Sequence, residues 1–316
     1  MTRSPANDQS APIISSTDDQ RDKPISPADD QRSKPISSTD DQHDRSISPA
    51  DDQGDQPTSP ADDQRGQAIS PADDQRALTI GGPWEQRVRA ADWGEITGQL
   101  NDYGCALTPP LLNPDETDEI AALYDQDDRF RSTIDMGRHR FGSGEYRYFR
   151  QPFPDPVGQL RQALYPRLLP IARDWYGKLG RPAPWPGTLD EWLAMCHAAG
   201  QRKPTPILLK YQQHDWNALH RDLYGDLVFP LQVVINLSRP GEDHTGGEFL
   251  LVEQRPRAQS RGTAVLIPHG HGLVFTTRDR PVRSARGWSA APVRHGVSAI
   301  RSGRRFTLGL VMHDAA

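Results

Sequence analysis

The sequence predicts an α+β fold in which a helical layer packs on an antiparallel sandwich or double-sheet barrel, behind a segment with no core of its own. Three observations predict it. The first 76 of 316 residues contain no Phe, Trp or Tyr. Segments between 84 and 200 carry helix start and stop signals. From 206 onward, short β-branched or aromatic runs follow one another with Gly and Pro between them. A parallel doubly wound sheet would need a crossover helix between such strands, so antiparallel pairing is the expectation.

The first segment is a repeat. Asp-Asp-Gln recurs at 18–20, 29–31, 40–42, 51–53, 62–64 and 73–75, and Asn7-Asp8-Gln9 fits the same 11-residue spacing. That period would suit a right-handed coiled coil, but each unit offers about one Ile and usually a Pro, which cannot build a continuous apolar stripe. Residues 1–76 hold 16 acidic and 8 basic residues, a net charge of −8, whereas the other 240 carry +3. So little apolar surface cannot offset the entropy of ordering, and the expectation is a disordered acidic tail over 1–76 ahead of one domain at 77–316. A calcium-binding solenoid is the rival reading, and the units lack its Gly-rich turns. A chain without 1–76 is therefore expected to fold and keep its binding site.

No run approaches 18 consecutive apolar residues, and the opening MTRSPANDQS has no hydrophobic export segment. The expectation is a cytoplasmic protein with no membrane partner. Cys105 and Cys196 are too few for a disulfide framework and are expected as free thiols. A charge of +3 on the folded part permits a nucleic-acid partner without arguing for one.

Taken in order, 84–102 reads as a helix and 103–107 as a short extended piece. A second helix is expected after Asn113, with Pro114 at its first position and Asp115 and Glu116 at its positively polarised end. An aromatic, Pro-rich stretch at 142–156 precedes a long helix over about 158–179, and another helix at 188–199 stops at Gly200. Strands are expected at 207–211, 227–237, 247–253, 263–268, 272–277, 292–300 and 305–313.

His220-Arg221-Asp222 is the first chemical suspect. On an extended segment residues i and i+2 project to one side, so His220 and Asp222 converge while Arg221 points away. Alone, such a tripeptide is more often a surface pair. His295 lies 73 residues after Asp222, and Arg305 ten further on, in an apolar strand. Two histidines and one carboxylate form the facial triad of a non-haem iron(II) site with open positions. Arg305 shares a strand face with Thr307, opposite Phe306, Leu308 and Leu310, and a guanidinium on the pocket side needs an anion, such as a dicarboxylate.

With these residues the chain resembles the Fe(II)- and 2-oxoglutarate-dependent oxygenases, whose HxD…H…R arrangement stands here as His220, Asp222, His295 and Arg305. Over roughly 180–315 it is similar to a bacterial subfamily described as oxygenases of damaged nucleic acid, through PILLKYQQHDWNALHRDLYGDLVFPLQVVINLS, HTGGEFLLVEQRPRAQSRGTAV and RHGVSAIRSGRRFTLGLVMHD. Residues 95–150 match it more loosely. Arg221 stands where Gln is more usual, and Gln212-Gln213-His214 where a Gly/Pro-containing turn is.

The resemblance implies a double-stranded β-helix, the jelly-roll or cupin-like core, over 206–315, with helical support from 84–200. It implies Fe(II) on His220, Asp222 and His295, and 2-oxoglutarate with its distal carboxylate on Arg305, hydrogen-bonded by Tyr211. Molecular oxygen would be the co-reactant, succinate and carbon dioxide would be released, and the acceptor would be hydroxylated or, at an N-methyl group, demethylated. The acceptor stays open between nucleic acid, a protein side chain and a small metabolite. A metal-free double-sheet binding module is the rival class.

Asn236 is weighed between contacting the cosubstrate and ending a strand. Gly246-Gly247 is expected where backbone approach excludes a β-carbon, and Trp216 and Asn217 at the pocket mouth or in the core. His269 and His271 read as a turn, and His214 and His244 as exposed loop residues. Arg255, Arg257 and Arg261, with Arg278, Arg280, Arg283 and Arg286, could steer an anion across the entrance or be solvated. Arg138, Arg140, Tyr146, Arg147 and Tyr148 suit a substrate lid or ordinary packing.

Overall fold

The computed structural model describes residues 82–316 apart from Arg140, Leu223, Pro256 and Arg257. The repeat tail expected over 1–76 lies outside the described residues.

Asp92 breaks the first expected helix in two. Its side chain accepts from the Gly94 and Glu95 backbone N–H groups, so α1 (Pro83–Ala90) ends and α2 (Trp93–Tyr103) begins with its own cap. Gly104, at φ 81°, stops α2 and turns the chain into β1 (Cys105–Pro110). Asn113 and Glu116 form a reciprocal capping box on α3 (Pro114–Ala122). The 142–156 stretch that offers only composition in sequence contains β3 (Gly142–Ser143) and β4 (Glu145–Phe149), after β2 (Phe130–Asp135). Next come α4 (Asp155–Lys178) and α5 (Leu189–Ala198), the latter capped by Thr188 and Glu191.

The strands that follow are β5 (Ile207–Gln212), β6 (Trp216–His220), β7 (Leu231–Asn236), β8 (His244–Gly246), β9 (Phe249–Glu253), β10 (Arg261–Val265), β11 (His271–Thr276), β12 (Asp279–Ser284), β13 (Gly287–Val297) and β14 (Ile300–Val311). The apolar run expected as a strand from 227 begins only at Leu231, because Pro230 cannot donate to a ladder.

All strand pairs are antiparallel and form two sheets. The larger runs β1-β11-β7-β14-β5-β4-β2, with β8 on β14; the smaller runs β10-β9-β13-β6-β3, with β12 on β13. This is the double-stranded β-helix expected. The clean division into a helical first half and a stranded second half needs correction, since β1, β3 and β4 pair with strands from the second half and β2 pairs with β4.

The two largest of three buried apolar clusters among the described residues hold these layers. Leu208, Ile235, Leu308, Leu310 and Met312 on the outer face of the larger sheet pack with Leu160, Leu164, Leu168 and Trp175 of α4. Between the sheets Val234, Phe249, Leu251, Leu273, Phe275 and Val293 form the second. Burying each such side chain contributes roughly 1.5–3 kcal/mol. No helix among the described residues is long and apolar enough to cross a membrane. Cys105 and Cys196 are buried free thiols.

Candidate active site

Between the sheets lies a cavity of about 230 Å³. Strand alternation decides what enters it. Arg305, Thr307, Gly309 and Val311 of β14 line it, while Phe306, Leu308 and Leu310 face the helices, so the two faces expected of that strand are the two observed.

His220 ends β6 and is the cross-strand partner of His295 on β13. Their ring centroids are 4.3 Å apart. Asp222, just beyond the strand, places Oδ1 3.4 Å from His220 Nε2 and Oδ2 3.1 Å from His295 Nε2. The three ligand atoms lie within 4.8 Å of one another. Two donors about 2.1 Å from one ion and at right angles are separated by about 3 Å, so each of the two imidazole–carboxylate spacings is close to that of adjacent ligands of a six-coordinate cation. His220 Nδ1 donates to the Ala218 carbonyl at 2.7 Å, which leaves Nε2 with its lone pair free to ligate. His295 is held between rings, stacked on Phe249 at 5.7 Å and edge-on to Phe275 at 4.7 Å.

Burial by itself would raise the Asp222 carboxyl, but His295 and His220 beside it hold it well below the usual carboxylate range. Burial tends to lower His220 too, and the Asp222 contact outweighs it to raise the imidazole. His295 is lowered by burial. The chemistry of the donor set, an ionised carboxylate with two imidazoles, fits a divalent cation.

Two further residues act on Asp222. Tyr224 donates its hydroxyl to Oδ1 at 2.8 Å, and Gln232 donates Nε2 to Oδ2 at 2.8 Å. Neither was singled out from the sequence. Gln232 had a signal, being the one polar residue inside LQVVI.

Arg305 is 2% exposed and has no ion pair or side-chain hydrogen bond among the described residues. Burial pulls its guanidinium down to about 10, with Tyr211 and Glu248 opposing, so it stays charged near neutral pH. Tyr211 is its cross-strand partner on β5, fully buried, and accepts from Asn217 Nδ2 at 3.3 Å. Burial raises its hydroxyl to about 12. Gly247, at φ 73°, makes room here: a β-carbon would sit 2.9 Å from Arg305 Cδ.

Asn236 needs correcting as a cosubstrate contact. It does not line the cavity, and its amide hydrogens go to the Ser238 carbonyl at 2.8 Å and the Ile267 carbonyl at 2.7 Å. It ends β7 and closes the turn beyond.

Arg221, expected to point away, lines the cavity instead, because β6 ends at His220 and strict alternation stops there. His244 is buried rather than exposed. His269 and His271 are occupied elsewhere, by Thr117 Oγ1 and the Thr108 carbonyl, both at 2.7 Å.

The arginines expected at the entrance are also reassigned. Arg280 is buried and pairs with Glu253 at 2.5 Å, and Arg255 and Arg261 converge on the same carboxylate. None of the three lines the cavity. Arg257 and Arg140 lie outside the described residues. Of the expected lid residues, Tyr146 lines the cavity, while Arg147 pairs with Asp127.

Comparison with known proteins places this arrangement. A family model named Oxygenase-NA, described as "Oxygenase, catalysing oxidative methylation of damaged DNA", matches residues 144–315. Uncharacterized protein Rv2227 of Mycobacterium tuberculosis H37Rv is 70% identical over 168 residues, 53% of this chain and 72% of that protein. Uncharacterized protein MT2286 of strain CDC 1551 matches with the same figures. Among solved structures, a Pseudomonas putida prolyl-4-hydroxylase is 14% identical, covering 69% of this chain and 96% of its own, at a TM-score of 0.41. A 2OG-Fe(II) oxygenase family oxidoreductase of Burkholderia pseudomallei is 16% identical, covering 72% and 94%, at 0.42.

Proposed function

Because this chain belongs to the Oxygenase-NA family, we propose that it is an Fe(II)- and 2-oxoglutarate-dependent dioxygenase that hydroxylates, or at an N-methyl group demethylates, an acceptor. The observation that carries this reading is the buried guanidinium of Arg305, without an ion pair among the described residues, in the same cavity as the His220–Asp222–His295 triad.

These three residues would hold iron(II). The bound iron would supply oxygen activation coupled to conversion of 2-oxoglutarate to succinate and carbon dioxide. The chain's own residues do the positioning. Arg305 offers a fixed fork of donors to the distal carboxylate, and the Tyr211 hydroxyl beside it is the expected second donor. Tyr224 and Gln232 each engage one oxygen of Asp222 and fix the plane of its carboxylate. Phe249, Phe275, Val234 and Val297 keep the surroundings apolar, which excludes water from the reacting centre.

A small metabolite or a protein side chain is supported as the acceptor by one observation: none of Arg255, Arg261 and Arg280 lines the cavity, and Arg280 is buried on Glu253.

Anaerobic addition of Fe(II) and 2-oxoglutarate is expected to produce a weak visible charge-transfer band; no band after fresh iron would overturn the site. Succinate release measured against methylated single-stranded DNA, RNA, peptides and a metabolite extract separates the acceptor classes.

A further inference from the structure

Among the described residues that line the cavity, Phe141 and Arg221 alone are exposed, which puts them at its solvent side. Phe141 is 48% exposed, stacks on His139 at 5.5 Å, and is tied to β6 by its carbonyl, which accepts from Ala218 N at 2.7 Å. Arg221 has no ion pair or hydrogen bond among the described residues, unlike the arginines gathered around Glu253.

Charge accounting, which rests on the function proposed above, isolates this arginine. The two positive charges of iron(II) and the one of Arg305 are cancelled by Asp222 and the two carboxylates of 2-oxoglutarate, with the histidines neutral. Arg221 remains as the uncompensated charge of the lining. The exposed part of the cavity lining thus offers an acceptor a guanidinium and an apolar ring.

We propose that Arg221 is a specificity-determining residue that binds an anionic group, a carboxylate or a phosphate, on an acceptor whose apolar or aromatic body packs on Phe141. A planar fork of donors suits either anion bidentately. A hydrogen bond to a charged partner contributes enough for roughly a tenfold difference in affinity.

The test uses full-length protein loaded with Mn(II) and 2-oxoglutarate, the loading being measured first by calorimetry. Phenyl phosphate, benzoate and neutral benzyl alcohol are then titrated into wild type, R221Q, R221K and F141A. At least one anion is expected to bind wild type about tenfold more tightly than R221Q, with partial recovery in R221K and benzyl alcohol indifferent to Arg221. Which anion shows the difference tells phosphate from carboxylate. F141A is expected to weaken all three probes. Equal binding of both anions to wild type and R221Q overturns the proposal. A failure to load Mn(II) and 2-oxoglutarate counts instead against the proposed function, and the same anion titration on unloaded protein in an R305L background, which removes the other cavity guanidinium, still decides the role of Arg221.

Discussion

Gln232 donates from Nε2 to Oδ2 of Asp222 at 2.8 Å, across ten residues of chain, and both side chains are buried. This contact, with that of Tyr224 on the other oxygen, sets the orientation of the only carboxylate in the candidate triad. Removing such an outer partner of a metal ligand typically weakens the metal by 10–100-fold. Gln232→Leu and Tyr224→Phe are each expected to lower Mn(II) affinity within that range, measured by calorimetry; unchanged affinity in both would remove them from the site.

Arg305 is buried and has no carboxylate partner among the described residues. Arg305→Leu is expected to cut 2-oxoglutarate affinity by about a hundredfold, in line with losing charge-assisted hydrogen bonds, while leaving thermal stability of the unliganded protein level or higher. In wild type the guanidinium is charged below about 10, so cosubstrate binding is expected to weaken as pH rises past that value.

Glu253 and Arg280 are 4% and 2% exposed and bonded at 2.5 Å. Burial would raise Glu253, but Arg255 and Arg280 together lower it. Its contribution to stability is therefore present above the unfolded carboxyl range and lost as pH falls through the folded value. Glu253→Gln strands a buried cation and is expected to cost about 3–5 kcal/mol in urea unfolding at neutral pH, with a flatter acid limb than wild type.

His313 is fully buried, its Nδ1 accepts from Phe229 N at 3.3 Å, and burial pulls it down from 6.5 to about 4. The unfolded chain takes up this proton first as pH falls. Stability is expected to drop by about 3 kcal/mol between pH 6.5 and 4 on this account alone. His313→Asn keeps an acceptor for Phe229 and is expected to remove that part of the slope in urea titrations at pH 7 and 5.

The sequence by itself determined β5, β7, β9, β10, β11, β13 and β14 as strands, the start of α3 after Asn113, and the pocket-facing side of β14, because each is written in neighbouring residues: Pro114 at a first helical position, or Arg305 alternating with Phe306. Spacing and resemblance also singled out the four residues His220, Asp222, His295 and Arg305. The break at Asp92 falls inside a stretch that reads in sequence as one helix over 84–102, although the cap that causes it is local.

Only the tertiary structure decided that Gln232 and Tyr224 engage Asp222, that Asn236 closes a turn instead of reaching the cavity, and that Arg280 is buried on Glu253. It also decided that Phe141 and Arg221 both line the cavity and are exposed. Each of these depends on strand register, and a shift of one residue would turn every side chain of a strand to the opposite face. Periodicity tells which residues share a face; the pairing of strands far apart in the chain tells what that face meets.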